Sequence, residues 1–128
     1  MNVAQELMIF VRAKELCSYV MKTTDNSPKK FRFTYTVRMQ NMAMDIIEDL
    51  YLANETYVSA NDTERYEIRR NYQNSALSKI RLLGYFAEQA LEQNAILPKQ
   101  FQGIAHLCKE CQKLMGGWIN SDKKKMNL

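Results

Sequence analysis

The sequence FRFTYTVRMQNMAMDIIEDLYLANETY, residues 31–57, decides the fold. It contains no Gly and no Pro, and its apolar residues recur three or four positions apart, which is typical of an amphipathic helix. One stripe comprises Tyr35, Met39, Met42, Ile46, Leu50, Ala53 and Tyr57. A second set lies on another side and comprises Phe33, Val37, Met44, Ile47 and Tyr51. A helix with two apolar sides buries both, so we expect it to be central to its own bundle or shared with a neighbouring subunit.

Breaks on either side of this stretch divide the chain into four predicted helices. Turn and cap residues cluster between them, and Pro28 and Pro98 suit the first turn of a helix, where the missing N–H is not needed. The expected fold is all-α, an antiparallel up-down four-helix bundle in a single domain over residues 1–128. The predicted helices and the basic tail that follows them cover about residues 3–23, 28–59, 62–93, 98–120 and 121–128.

Composition excludes several classes of protein. The chain holds 4 Gly, 2 Pro and 1 His, which is too few turn formers for a many-stranded sandwich or barrel and too few histidines for most metal or Ser-His-Asp sites. No apolar run approaches the roughly 18 residues that a membrane span needs. Three cysteines, an odd number, argue against a disulfide scaffold and indicate a reducing compartment. We therefore expect a cytoplasmic protein without membrane partners.

Residues that sometimes carry chemistry have simpler explanations here. Cys108 and Cys111 form a C-x-x-C, but they lie on the apolar stripe of the fourth helix, so buried small hydrophobes explain them better than a metal or redox site. The lone His106 falls on the polar side of that helix and is expected at the surface. The acids of the second helix lack the Glu-x-x-His pairs of a di-metal bundle. We predict no enzyme activity, no cofactor and no metal.

Charge is distributed in blocks. The formal net charge is +4, from 18 Lys and Arg against 14 Asp and Glu. Residues 26–44, 68–87 and 99–128 each carry +4, whereas residues 45–67 carry −6. The expected surface is dipolar, with acids near the turn between the second and third helices and basic residues on the shaft and the far end. The run Lys123-Lys124-Lys125 is expected to be a flexible, solubilising tail.

Basic residues of the second and third helices form the candidate functional set. Arg69 and Arg70 are explained equally well by pairing with acids of the second helix as by function. Arg38, Lys79 and Arg81 are expected to form an uncompensated basic cluster, which suits phosphate binding or a basic channel lined by several subunits. The candidate nucleic-acid-binding residues are Arg81, Lys79, Arg38, Arg69, Arg70, Lys29, Lys30 and Arg32.

Three stretches resemble a known family. The first is Pro28-Lys29-Lys30-Phe31, which opens a long apolar helix ending at Leu52-Ala53-Asn54. The second is ALSKIRLL at residues 76–83, and the third joins Leu97-Pro98 to the closing LMGGWI at residues 114–119. In order and spacing they are similar to the accessory variability proteins (Avd) of diversity-generating retroelements. These belong with the small four-helix-bundle proteins encoded in ribosomal-RNA intervening sequences.

The resemblance implies a non-enzymatic homo-oligomer, a barrel-shaped pentamer of four-helix bundles with a positively charged surface. Such proteins bind the reverse transcriptase of the retroelement and RNA or DNA, and they support mutagenic copying of template RNA into cDNA. Arg81 matches the Arg of the family's third-helix motif. The net charge of only +4 and the acidic block depart from a strongly basic family pattern. The alternative is a structural or adaptor bundle that binds protein partners only.

Overall fold

A computed structural model describes the backbone of residues 3–128 and the side chains of residues 8–128. These residues form four long α-helices and no strand, which confirms the all-α prediction. A 3₁₀ turn and a π-helical turn lead into the second of them. The elements are α1 (Val3–Asp25), the 3₁₀ turn (Lys29–Phe31), the π turn (Arg32–Thr36), α2 (Val37–Glu55), α3 (Thr63–Glu92) and α4 (Pro98–Lys125). Within the described part of the chain, no helix is both long and apolar enough to cross a membrane.

One core holds the helices together. Contacts join α1 to α2, α2 to α3, α3 to α4 and α4 back to α1, so the four helices surround a shared interior. Burying a large aliphatic side chain contributes about 1.5–3 kcal/mol, and every helix supplies such side chains at helical spacing. The largest fully buried ones include Ile9, Leu16, Met39, Ile46, Leu50, Ile80, Leu83, Ile104, Met115 and Trp118.

Local signals fix where α3 and α4 begin. The Asp62 carboxylate accepts a hydrogen bond of 3.0 Å from the backbone N–H of Arg65, which satisfies a free donor in the first turn of α3. At α4, Pro98 occupies the first turn, and the backbone N–H of Leu97 donates to Gln100 Oε1 at 2.8 Å. Both starts lie within a residue of the predicted positions.

The second helix differs from its prediction at both ends. It opens with the 3₁₀ and π turns instead of a regular helix from residue 28, and it ends before Thr56 instead of at residue 59. Thr56 is extended (ψ 95°), and the chain turns there so that Val58 packs with Tyr66 and Met126. Tyr57, predicted on the core stripe, therefore lies past the helix and is 71% exposed.

The fourth helix continues five residues beyond its predicted end. Asp122 and Met126 follow Trp118 at four-residue intervals, so they extend its buried face, and they are 2% and 9% exposed. The prediction of a flexible basic tail is therefore wrong. Because Met126 packs against Val58, the lysines of the last turn lie at the end of the molecule that also carries the acidic turn, and the predicted charge separation does not hold for them.

The second apolar side of α2 is not covered by the chain itself. Phe33, Tyr51, Met44 and Val37 are 84%, 58%, 47% and 39% exposed, and Ile47 alone of this set packs against the core. The hypothesis that α2 is central to its own bundle is wrong, because only one of its apolar sides is buried. A shared subunit interface stays a prediction.

Helical glycines in different surroundings provide a test of the packing. A Cβ on Gly103 would overlap the ring of Tyr19, whereas a Cβ on Gly116 would meet nothing within 4 Å. Gly116→Ala is expected to raise the free energy of unfolding by about 0.5–1 kcal/mol, because Ala is the better helix former. Gly103→Ala is expected to lower it, because Tyr19 must move. Urea unfolding followed by circular dichroism measures both, and equal effects would contradict the close approach of α1 and α4.

Candidate nucleic-acid interface

The basic segment that leads into α2 presents its charges to solvent. Lys29, Lys30 and Arg32 are exposed, and none of the ion pairs between described side chains includes them. The Lys30 ammonium lies 5.1 Å from the centre of the Phe31 ring, a cation–π contact of about 0.5–1 kcal/mol at an exposed site. That contact leaves the ammonium hydrated and available to an external anion.

Arg38 stands at the boundary between α2 and α3. It is exposed, and its guanidinium lies 5.5 Å from the centre of the Phe86 ring. It borders two surface grooves, both of which are also lined by Phe33. A planar cation held against a ring keeps its other N–H groups free for bidentate contact with a phosphate. The other residues of the grooves include Tyr35, Val37, Asn41, Asp45, Lys79, Leu82 and Gln89.

Lys79 has a partner that the sequence analysis did not predict. Its ammonium lies 2.8 Å from Asp49 Oδ2, and the Asp49 side chain is only 11% exposed. Lys79 thus pairs with an acid in the second half of α2, although it also lines the groove that contains Arg38. The prediction of an uncompensated cluster is wrong for this residue, because a carboxylate already neutralises it.

Arg81 is exposed but separate from Arg38 and Lys79. Residues of an α-helix are about 100° apart, so positions two apart face nearly opposite sides. Arg81 accordingly does not line the groove that holds Arg38 and Lys79. Arg38 and Lys79 line one groove, as the prediction of a cluster requires, whereas Arg81 is exposed on another part of the α3 surface.

Arg69 belongs to the interior. Its Nε and Nη2 donate to the Asp122 carboxylate at 2.9 and 3.2 Å, and its Nη1 donates to the Thr56 carbonyl at 3.3 Å. The guanidinium lies 4.8 Å from the Trp118 ring centre, and Gln73 Nε2 donates to the same carboxylate at 2.9 Å. Arg69 is 5% exposed and does not reach the surface. Pairing with an acid is one of the two explanations predicted for Arg69. The acid, however, is Asp122 on α4 and not a residue of the second helix.

Arg70, the next residue along α3, is half-buried. Its Nη1 is buried and has no hydrogen-bond partner among the described residues, and the same holds for Gln73 Oε1 and Trp118 Nε1. A buried polar group without a partner costs roughly 1–3 kcal/mol. In the part of the chain that the structure describes, no ion pair joins Arg70 to an acid of the second helix. The pairing predicted for Arg70 is therefore not observed there.

The residues with possible enzymatic chemistry are held in unreactive settings. Burial raises the pKa of the Cys108 and Cys111 thiols to about 12, so neither forms a nucleophilic thiolate near neutral pH. His106 is exposed, with Nε2 3.2 Å from Glu110 Oε1, and Arg12 contacts the same Glu110 side chain. Across the described residues, no group of three His, Cys, Asp or Glu side chains is placed to hold a metal ion.

Comparisons with known proteins found no relative of the chain. No protein-family model, no curated protein and no solved structure matches the chain. The likeness to the accessory variability proteins thus stands on the motifs quoted above, among them the start of the second helix and the stretch around Arg81.

The buried ion pair provides a test of the interior assignment of Arg69. Asp122→Ala leaves the Arg69 charge buried without its carboxylate, and we expect the free energy of unfolding to fall by about 3–5 kcal/mol. Glu110→Ala is the matched control, since Glu110 is half-exposed and pairs with Arg12 near the surface; its cost should not exceed about 1 kcal/mol. Urea unfolding measures both variants. Similar losses would contradict a special role for the buried pair.

Proposed function

We propose that the protein is a non-enzymatic accessory protein of a diversity-generating retroelement. In this role it binds the reverse transcriptase together with the template RNA and its cDNA, and it supports mutagenic reverse transcription. The nucleic-acid part is carried by four exposed cations that form no ion pair among the described side chains: Lys29, Lys30, Arg32 and Arg38. The likeness to Avd proteins supports the polymerase part.

Local charge favours a polyanion as the partner of this segment. Residues 26–44 carry +4 with no acid among them, so they hold as much positive charge as the net charge of the whole chain. Each phosphate that such cations neutralise releases counterions, which makes the affinity fall with salt. The acids of residues 45–67 repel the same polyanion, so a nucleic acid is expected to lie along the start of the second helix and to avoid its end.

The absence of catalysis is part of the proposal and rests on two settings described above. The two most buried thiols, Cys108 and Cys111, stay protonated at neutral pH. The imidazole of His106 stands in solvent beside Glu110, without a nucleophile to activate. Both settings suit a protein that holds and positions its partners.

The proposed fold within each subunit is an antiparallel up-down bundle. Arg38 near the start of α2 contacts Phe86 near the end of α3, while Thr56 after α2 accepts a hydrogen bond from Arg69 near the start of α3. Residue numbers therefore rise along one helix as they fall along the other, which supports the antiparallel pairing of these two helices.

The proposed assembly is a homopentamer. Val37, Met44 and Tyr51 recur every seven residues on the outer side of α2 and are 39–58% exposed. A seven-residue apolar repeat is the spacing by which one helix packs along another, and repeated heterologous contacts close into a ring when the rotation between subunits allows it. This face supports self-association, and the number five comes from the resemblance to Avd proteins.

A second candidate function is an adaptor that binds protein partners only. Apolar residues of α3 favour it, since Ile68, Leu82 and Tyr85 are 42%, 43% and 57% exposed. Exposed apolar patches rimmed by polar residues mark protein interfaces. Under this alternative the exposed cations contribute solubility only, and replacing them leaves function intact.

Charge-removing variants distinguish the two functions. Arg32→Gln/Arg38→Gln is expected to weaken binding of a single-stranded RNA and to reduce the slope of log affinity against log salt by roughly 1.4, about 0.7 for each lost phosphate contact. Lys109→Gln/Lys113→Gln removes two exposed cations of α4 and is the matched control. Fluorescence anisotropy at several salt concentrations measures both. A wild-type protein without salt-dependent binding would contradict the nucleic-acid role, and equal losses would contradict its assignment to the start of α2.

The mass in solution tests the assembly. Sedimentation is expected to give about 75 kDa, five times the 15.0 kDa of one chain. Met44→Lys places a charge on the seven-residue apolar repeat and should dissociate the oligomer, whereas Leu97→Lys alters an exposed apolar residue outside it and should not. A monomeric wild-type protein would rule out the pentamer. At the level of the genome, a neighbouring reverse transcriptase gene with a near-repeat template is the expected context.

A further inference from the structure

Phe33 is the most exposed of the large hydrophobic side chains that the structure describes. It is 84% exposed, against 71% for Tyr57 and 58% for Tyr51. A phenyl ring with so little surface buried adds little to the stability of the subunit that carries it. The Phe33 ring is therefore accessible to another molecule.

The backbone around Phe33 is wound differently from the rest of the helix. Residues Arg32–Thr36 form a π-helical turn, in which the N–H of Val37 donates to the carbonyl of Arg32, five residues back. Phe31 and Tyr35 pack edge to face with ring centres 5.9 Å apart, and both pack against the core. Phe31, which ends the 3₁₀ turn, and Tyr35 within the π turn thus face the core, and Phe33, two positions from each, faces outward. Such single π turns in helices are found frequently at functional sites.

Two arginines lie near the Phe33 ring. Phe33 lines both grooves that Arg38 borders, and Arg32 is its neighbour in the chain. The Phe86 ring restrains the Arg38 guanidinium, which lowers the entropy lost when that group contacts a ligand. An aromatic face flanked by fixed positive charge matches the chemistry of a nucleotide, since the ring accepts a base and the cations accept its phosphates.

We propose that Phe33 is a stacking platform for an unpaired base of single-stranded RNA or DNA, with Arg32 and Arg38 contacting the adjoining phosphates. This inference rests on the proposed nucleic-acid function. It adds that the ligand is single-stranded and that Phe33 is the residue that distinguishes a single strand from a duplex. In a duplex both faces of a base are covered by its neighbours, so a ring on a convex helix surface can stack only on a base that is splayed out. A duplex would use the cations alone.

The full-length protein and two probes test the platform. The probes are a labelled single-stranded RNA of about ten nucleotides, within the usual range of single-strand sites, and the RNA duplex of the same sequence. Phe33→Leu keeps an apolar side chain but removes the aromatic face, and Phe33→Trp keeps the face. We expect Phe33→Leu to weaken single-strand binding roughly 5- to 100-fold at an unchanged salt slope, Phe33→Trp to bind like the wild type, and duplex binding to be the same in all three proteins.

The outcomes separate this inference from the function on which it rests. If the wild type binds single strands and Phe33→Leu binds them equally well, the platform is wrong and the nucleic-acid function stands. If the wild type binds neither probe, the proposed function fails and the platform fails with it. A loss of oligomer mass in Phe33→Leu would assign the ring to a protein contact and overturn the inference. Tyr57→Leu, an exposed aromatic in the acidic stretch after α2 and outside the seven-residue repeat, is the matched control and should leave single-strand affinity unchanged.

Discussion

The buried ion pair between Arg69 and Asp122 is the interaction on which one end of the structure depends. The guanidinium contacts a carboxylate of α4, the Thr56 carbonyl that follows α2, and the Trp118 ring. A charge with so little exposure is tolerated in a core only when its donors are taken up, and Gln73 supplies a further donor to the carboxylate. The end of α2, the start of α3 and the last turns of α4 are thereby fixed together, which sets the orientation in which α2 presents its outer side.

Ion pairing inside the fold also decides which cations remain at the surface. Arg69 and Lys79 each have a carboxylate partner, so the middle of the helix pair carries less free charge than its composition suggests. Between described side chains, no ion pair includes Lys29, Lys30, Arg32 or Arg38, so no carboxylate neutralises the positive charge at the start of the second helix. The lysines that end α4 lie at the opposite end, near the acidic turn. The net charge of +4 thus includes one basic segment, residues 29–38, that acids of the fold do not neutralise.

Much of the fold was predictable from the sequence because helices have local signals. The apolar spacing of residues 31–57 and Pro98 at a helix start placed the helices approximately, although the second helix differs at both ends and the fourth is longer than predicted. The pairing between helices was not predictable, because periodicity gives the faces of a helix and not its register against a neighbour. Asp122 shows this limit. Beside three lysines it reads as part of a solvated tail, and only Arg69, 53 residues away, makes it a core residue.

The segment that leads into the second helix combines a π turn with the most exposed of the large hydrophobic side chains that the structure describes. Regular helical spacing also accommodates Phe33 and Val37, so the sequence pattern contains no signal for the π turn. At residues 29–38 a π turn, a phenyl ring that is 84% exposed and cations that form no ion pair among the described side chains lie together. Local choices in a natural sequence usually agree with its fold, and places where they do not are expected to be functional or strained. The nucleotide proposed above suits both features of residues 29–38, because its base can cover the ring and its phosphates can neutralise the charge.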